Sequence, residues 1–141
     1  MSWDVLVFNY DGSPPKDFNE LPADSSPDPL GPAINVRDAI NKYLPGVDWS
    51  DPSWGTYEDN ELSIEFNAGK DDPIREIMLH FRGGGDAIEA ILRFANPNKW
   101  SIFDCSTGEF IDPENPSQDG WEGFQKYRDN LIEHHDQDRD R

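Results

Sequence analysis

Hydrophobic and polar residues alternate strictly in two stretches of this chain. In ELSIEFN, Leu62, Ile64 and Phe66 take one side, while Glu61, Ser63 and Glu65 take the other. A period of two predicts a half-buried strand, and its charged outer residues suit a sheet edge. IREIMLHFRG repeats the pattern with Ile77, Leu79 and Phe81 inward, and Met78 on the opposite side predicts deeper burial. WDVLVFNY, from Trp3 to Tyr10, is apolar on both sides at its centre, as in a strand covered on both faces. KWSIFDC reads as a fourth short strand. The turn STG follows it, and EFID, from Glu109, is expected to pair back as a hairpin.

Elsewhere the spacing becomes helical. Val36, Ile40 and Tyr43 or Leu44 share one face of a helix that Asn35 is expected to cap and Pro45-Gly46 to stop. Ile88, Ile91, Leu92 and Ala95 form a second stripe, opened by Asp86 and closed by Asn96-Pro97. Trp121, Phe124, Tyr127 or Arg128, and Leu131 mark a terminal helix. Prolines 14, 15, 22, 27, 29 and 32 predict a long surface loop over 11–33, pinned by Phe18, Leu21 and Leu30. The stretch VDWSDPSWGTYEDN reads as an acidic, aromatic loop.

The resulting order, β-α-β-β-α-β plus a helix, predicts an α+β fold. Its expected form is a four-stranded antiparallel sheet with two helices on one face (split β-α-β, ferredoxin-like) and a C-terminal helix. In that form the first and third strands are central. A single domain over 1–134 and a disordered acidic tail over 135–141 are expected.

Charge adds a further constraint. Asp and Glu number 29 against 12 Lys and Arg, a net charge of −17 at pH 7. Such a field disfavours nucleic acid and anionic membrane and speeds encounter with a basic partner. A well-solvated surface is the plainer consequence of the same numbers. The 141 residues can bury one core without metal or disulfide staples, and the single cysteine, Cys105, excludes an internal disulfide. The chain opens on no charged and then apolar leader pattern, and no run approaches the roughly 18 apolar residues of a membrane span. A cytoplasmic location is expected.

Candidate chemistry is sparse. HFRGGGDA places three glycines between a strand and a helix, where backbone N–H groups can cradle phosphate. The Gly-Lys-Ser/Thr ending of a phosphate loop is absent, however, and Asp86 competes for the same donors, so a chain reversal is the expected role. Cys105 has Asp104 and Glu109 as neighbours, which disfavour a thiolate nucleophile. His134 and His135, beside Asp136 and Asp138, point in different directions on a helix and make a poor chelate. The carboxylates of 48–59 lack the spacing of a calcium loop. No catalytic residue, cofactor or metal is predicted.

The same 48–59 stretch is the best binding candidate. Trp49 and Trp54 are anchors of the type that dominate interfaces, and Asp48, Asp51, Glu58 and Asp59 surround them. Asp104 and Glu109, with Asp112 and Glu114, offer a second acidic surface. The alternative is that both tryptophans fold inward as loop plugs.

MSWDVLVFN, DWSDPSWG, LSIEFN, HFRGGGDA and STGEFIDPE together resemble a family of small uncharacterised acidic bacterial proteins, over about residues 1–114. The resemblance implies no catalytic residue. By type, size and acidity, the chain is similar to immunity proteins of bacterial toxin systems. The expected function is therefore a non-enzymatic inhibitor that masks a basic partner, such as a secreted toxin domain. The alternative is a small-ligand-binding domain or enzyme with a pocket between the sheet and the proline-rich loop. A homodimer through an open sheet face is a third expectation.

Overall fold

The computed structural model describes residues 1–10 and 26–139, with side chains as far as Ile132. Ten elements follow in order. They are β1 (Trp3–Phe8), α1 (Ala33–Tyr43), β2 (Asp48–Asp51), β3 (Trp54–Glu58), β4 (Leu62–Asn67), β5 (Ile77–Gly83), α2 (Ala87–Asn98), β6 (Ser101–Asp104), β7 (Glu109–Phe110) and α3 (Asp119–Arg139). All seven strands join one antiparallel sheet in the order β2-β3-β4-β5-β1-β6-β7.

This overturns the expected four-stranded ferredoxin-like sheet with two helices on one face: the described residues form seven strands and three helices. The added strands are β2, β3 and β7, of four, five and two residues. Elements this short carry too little alternation to be separated from turns, and 48–58 is dense in Asp, Ser, Pro and Gly, which signal loops. The stretch read as an acidic loop is instead a β-hairpin that widens one edge of the sheet.

One face of the sheet builds the core. Val5 and Val7 from β1, Ile64 and Phe66 from β4, and Leu79 and Phe81 from β5 are fully buried. They form one cluster with Val36 and Ile40 of α1, Ile88, Ile91 and Phe94 of α2, and Trp121 of α3. Burying each such side chain contributes roughly 1.5–3 kcal/mol, and this is what fixes the strand register. Asn35 lies within α1 rather than at its cap; the helix starts after Pro32 with no side-chain cap. Asp86 does cap α2, accepting from the Glu89 N–H at 3.0 Å. That helix runs through Pro97 to Asn98, and Lys99 ends it in a left-handed conformation.

In α3, Trp121 enters the core and Phe124 packs on its edge, while Tyr127, Leu131 and Ile132 are exposed. The Arg128 guanidinium donates to the Gly83 carbonyl. Of the loop expected over 11–33, residues 11–25, with Phe18 and Leu21, lie outside the described residues. The remainder is tied to the body through bridges from Asp28 to Asn9 and from Gly31 to Ile74. The tail expected over 135–141 falls where side chains are outside the described part, although helix continues to Arg139.

Candidate functional site

The β2–β3 hairpin carries most of the residues expected to bind a partner. Asp48, Asp51, Glu58 and Asp59 are all exposed there. Between residues 43 and 69 the chain has six carboxylates and no basic residue, so this edge is locally anionic. The turns are held by the carboxylates themselves. Asp48 Oδ1 accepts from the Ser50 N–H at 2.8 Å and the Ser50 hydroxyl at 2.6 Å. Asp51 Oδ1 does the same with Ser53, at 2.9 and 2.7 Å. Asp59 Oδ1 accepts from the Glu61 and Leu62 N–H groups, both at 2.8 Å, and its Oδ2 accepts from the Tyr57 hydroxyl at 3.0 Å.

These bonds favour the ionised form and hold all three carboxyls below the usual aspartate value. The Ser50 hydroxyl and N–H act on Asp48, the Ser53 hydroxyl and N–H on Asp51, and the Leu62 and Glu61 N–H groups on Asp59. The hairpin therefore presents fixed negative charge. Bonding of the Ser50 N–H to Asp48 also occupies a donor on the outermost strand, which discourages another chain from pairing there.

The two tryptophans are half-buried and lie on opposite faces of the sheet. Trp49 turns toward the helices: its ring sits 5.7 Å from Phe66, and its indole N–H donates to Asn41 at 3.2 Å. Gly55 makes room for it, since a Cβ there would fall 2.8 Å from the ring. Trp54 faces the other way and stacks on His80 at 5.8 Å. Two adjacent indole anchors ringed by acids are therefore not found. Trp49 is a plug, and Trp54 belongs to the face away from the helices.

Asp104 and Glu109 do not join this surface. They sit on β6 and β7 at the opposite edge of the sheet, about 20 Å or more away at ~4.8 Å per strand. Asp104 is only 4% exposed, which excludes it as a partner contact. Its Oδ1 accepts from the Trp3 indole at 3.1 Å, the Ser106 N–H at 2.9 Å and the Ser106 hydroxyl at 2.6 Å. Its Oδ2 lies against the first turn of α3, where a Cβ on Gly120 would come within 1.9 Å. A carboxylate at a helix N-terminus is electrostatically favourable. Asp104 is a structural junction of β1, the β6–β7 turn and α3. Glu109 is half-buried and pairs across from it.

The glycine stretch is settled by packing. Gly83 and Gly85 have φ of +91° and +77°. A Cβ on Gly83 would fall 2.3 Å from the Glu61 carbonyl oxygen, and the Gly84 N–H donates to that oxygen at 2.6 Å. The glycines seat the β3–β4 turn, and several of their backbone groups are engaged within the protein: the Gly84 N–H on Glu61, the Gly83 carbonyl by Arg128, and the Gly85 carbonyl by the Trp121 indole at 3.0 Å. Cys105 is exposed, with its thiol pushed up by partial desolvation and by the carboxylates of Asp4 and Asp104. That is the wrong direction for a nucleophile. His134, His135, Asp136 and Asp138 lie outside the described side chains. No group of three or more metal-ligating side chains occurs among the described residues.

A second site lies on the sheet face away from the helices, where the alternative reading expected a pocket between the sheet and the proline-rich loop; the residues that line it had not been named. Asp4, Leu6, Met78 and His80 emerge there, with Leu6 opposite Met78 and Asp4 opposite His80 in register. His80 Nδ1 lies 2.8 Å from Asp4 Oδ1. A cavity of about 600 Å³ opens beside them, walled by Asn67 and Gly69 at the end of β4, by Asp71, Arg75 and Glu76, and by Pro27. Its one signal in the sequence is the unusual apolar outer residue of a strand, Met78.

Comparison with family models, curated proteins and solved structures returns no match for this chain. Among the described residues, no helix is long and apolar enough to cross a membrane.

Proposed function

We propose that this chain is a non-enzymatic binding protein that masks a basic protein partner through the β2–β3 hairpin, in the manner of an immunity protein covering a toxin. One observation carries the reading. Asp48, Asp51, Glu58 and Asp59 are exposed together on one edge, and hydrogen bonds fix three of them in ionised form. Carboxylates already held in place lose little freedom on binding, and a net charge of −17 steers a cationic partner toward the chain. The carboxylates would stand where an anionic substrate of the partner otherwise sits. Asp104 and Glu109 take no part, and of the two half-buried tryptophans Trp49 is committed to packing against the core, which leaves Trp54 as the one to touch a partner.

The test is capture of basic proteins by the full chain at low ionic strength, followed by association kinetics. A retained partner should associate more slowly as salt rises, and the variant Asp51→Lys with Asp59→Lys should lose it. A partner held equally well by that variant, or an association rate indifferent to salt, contradicts the reading.

A further inference from the structure

Asp51 and Trp54 flank the turn between β2 and β3 and pair across it in register. Such cross-strand partners share a face, with Cβ atoms about 5 Å apart. An exposed carboxylate and a half-buried indole therefore emerge side by side. Ser53 holds the carboxylate through Oδ1 alone, which leaves Oδ2 to accept from a ligand. Lys70 helps to keep the group ionised, yet among the described residues no ion pair with Asp51 forms.

Trp54 differs from the tryptophans of the interior. The indoles of Trp3, Trp49 and Trp121 lie in or against the core, and each donates its N–H within the protein. Trp54 stands outside that cluster, and its N–H has no acceptor among the described residues. The ring is held all the same. His80 stacks on one side of it, 5.8 Å between centroids and 22° between planes, and Asp4 fixes the imidazole at 2.8 Å. No second ring lies on the opposite side among the described residues. An indole already oriented loses little freedom when it takes a ligand.

The face of an indole attracts a cation. An ammonium answers only as a point charge. A guanidinium is flat, so it stacks on the ring while its edge donates to a neighbouring carboxylate. Asp51 beside Trp54 offers that second contact.

We propose that the β2–β3 turn takes one arginine side chain of the basic partner, its guanidinium stacked on Trp54 and hydrogen-bonded to Asp51. This rests on the reading of the hairpin as the docking edge and adds the side chain that the edge selects.

The probes are hexa-arginine and hexa-lysine, peptides of equal charge. Each is titrated at low salt into the isotopically labelled full chain and followed through the Trp54 indole N–H and the amides of residues 48–61. Hexa-arginine should bind about threefold more tightly, the scale of one exposed stacked cation, and should move the Trp54 indole signal further. Trp54→Leu should remove that preference while salt-dependent binding of both peptides remains. Trp54→Phe, which keeps a ring, should retain part of it. Asp51→Asn should weaken hexa-arginine more than hexa-lysine. The exchanges fall on exposed or half-buried side chains, and unchanged far-UV circular dichroism checks that the fold is kept. Equal affinity for the two peptides, with shifts still confined to 48–61, overturns the arginine site and leaves the acidic edge standing. So does a preference that survives in Trp54→Leu. Shifts spread over the whole acidic surface overturn both.

Discussion

The β2–β3 hairpin and the β6–β7 corner use the same local device and put it to opposite ends. Asp48-Trp49-Ser50, Asp51-Pro52-Ser53 and Asp104-Cys105-Ser106 each fold so that the aspartate Oδ1 accepts from the N–H and hydroxyl of the serine two residues on. In the hairpin the carboxylates remain in water. In the corner a third donor, the Trp3 indole, and the packing of α3 at Gly120 enclose the group. Local sequence therefore sets the turn, while the surrounding fold decides whether its charge faces solvent or holds the interior together.

The sharpest way to break this contrast is at the corner. Asp104→Ala leaves the buried Trp3 N–H without its acceptor and should lower stability by about 3 kcal/mol in urea unfolding. Gly120→Ala drives a Cβ into the same carboxylate and should cost about 2 kcal/mol or more. A loss under about 1 kcal/mol in both would show that the corner is as dispensable as a surface turn.

Gly55→Ala comes next. It presses on the Trp49 ring, and about 1–2 kcal/mol of destabilisation is expected from overpacking at a half-buried site. A red shift of tryptophan emission should accompany it as the indole is pushed outward. An unshifted spectrum with full stability would mean that Trp49 is not a plug.

At the hairpin the stability effect should be small and the binding effect large. Asp51→Lys with Asp59→Lys should leave the urea unfolding midpoint little changed, yet slow association with a basic partner about tenfold at low salt. A variant that unfolds would make these residues structural, like Asp104.

The smallest effect is in pH. Hydrogen bonds lower the folded-state values of Asp48, Asp51 and Asp59 beneath the ordinary 3.8. Their contribution to stability is therefore present above that value and disappears as pH falls through the lower folded value. Carboxyl carbon titrations by NMR should place the three midpoints below 3.8, and midpoints at or above it would mean that the turns are not held by these bonds.

Much of the fold was legible where alternation runs for six residues or more. Ile64, Phe66, Leu79 and Phe81 face the core as their spacing requires, and Asp86 caps α2. What escaped was whatever depends on partners distant in sequence. Strands of two to five residues take their register from neighbours, so the hairpin read as a loop and the sheet as four-stranded. Asp104 read as surface because nothing local shows that Trp3, about a hundred positions earlier, donates to it. Of the residues expected to bind a partner, Asp48, Asp51, Glu58 and Asp59 lie together on one edge because they are neighbours in sequence. A pocket between the sheet and the proline-rich loop was an alternative expectation, but its lining could not be named, because Leu6 and Met78 meet only through β1–β5 pairing.

The hairpin's role can be tested without knowing its partner. Titrating a short oligolysine peptide into the isotopically labelled chain and mapping amide shifts separates a localised charged surface from general acidity. The largest shifts are expected over residues 48–61, fading with added salt. Shifts spread evenly to Asp86, Asp112, Asp119 and Glu122, which are exposed as well, would contradict a docking edge.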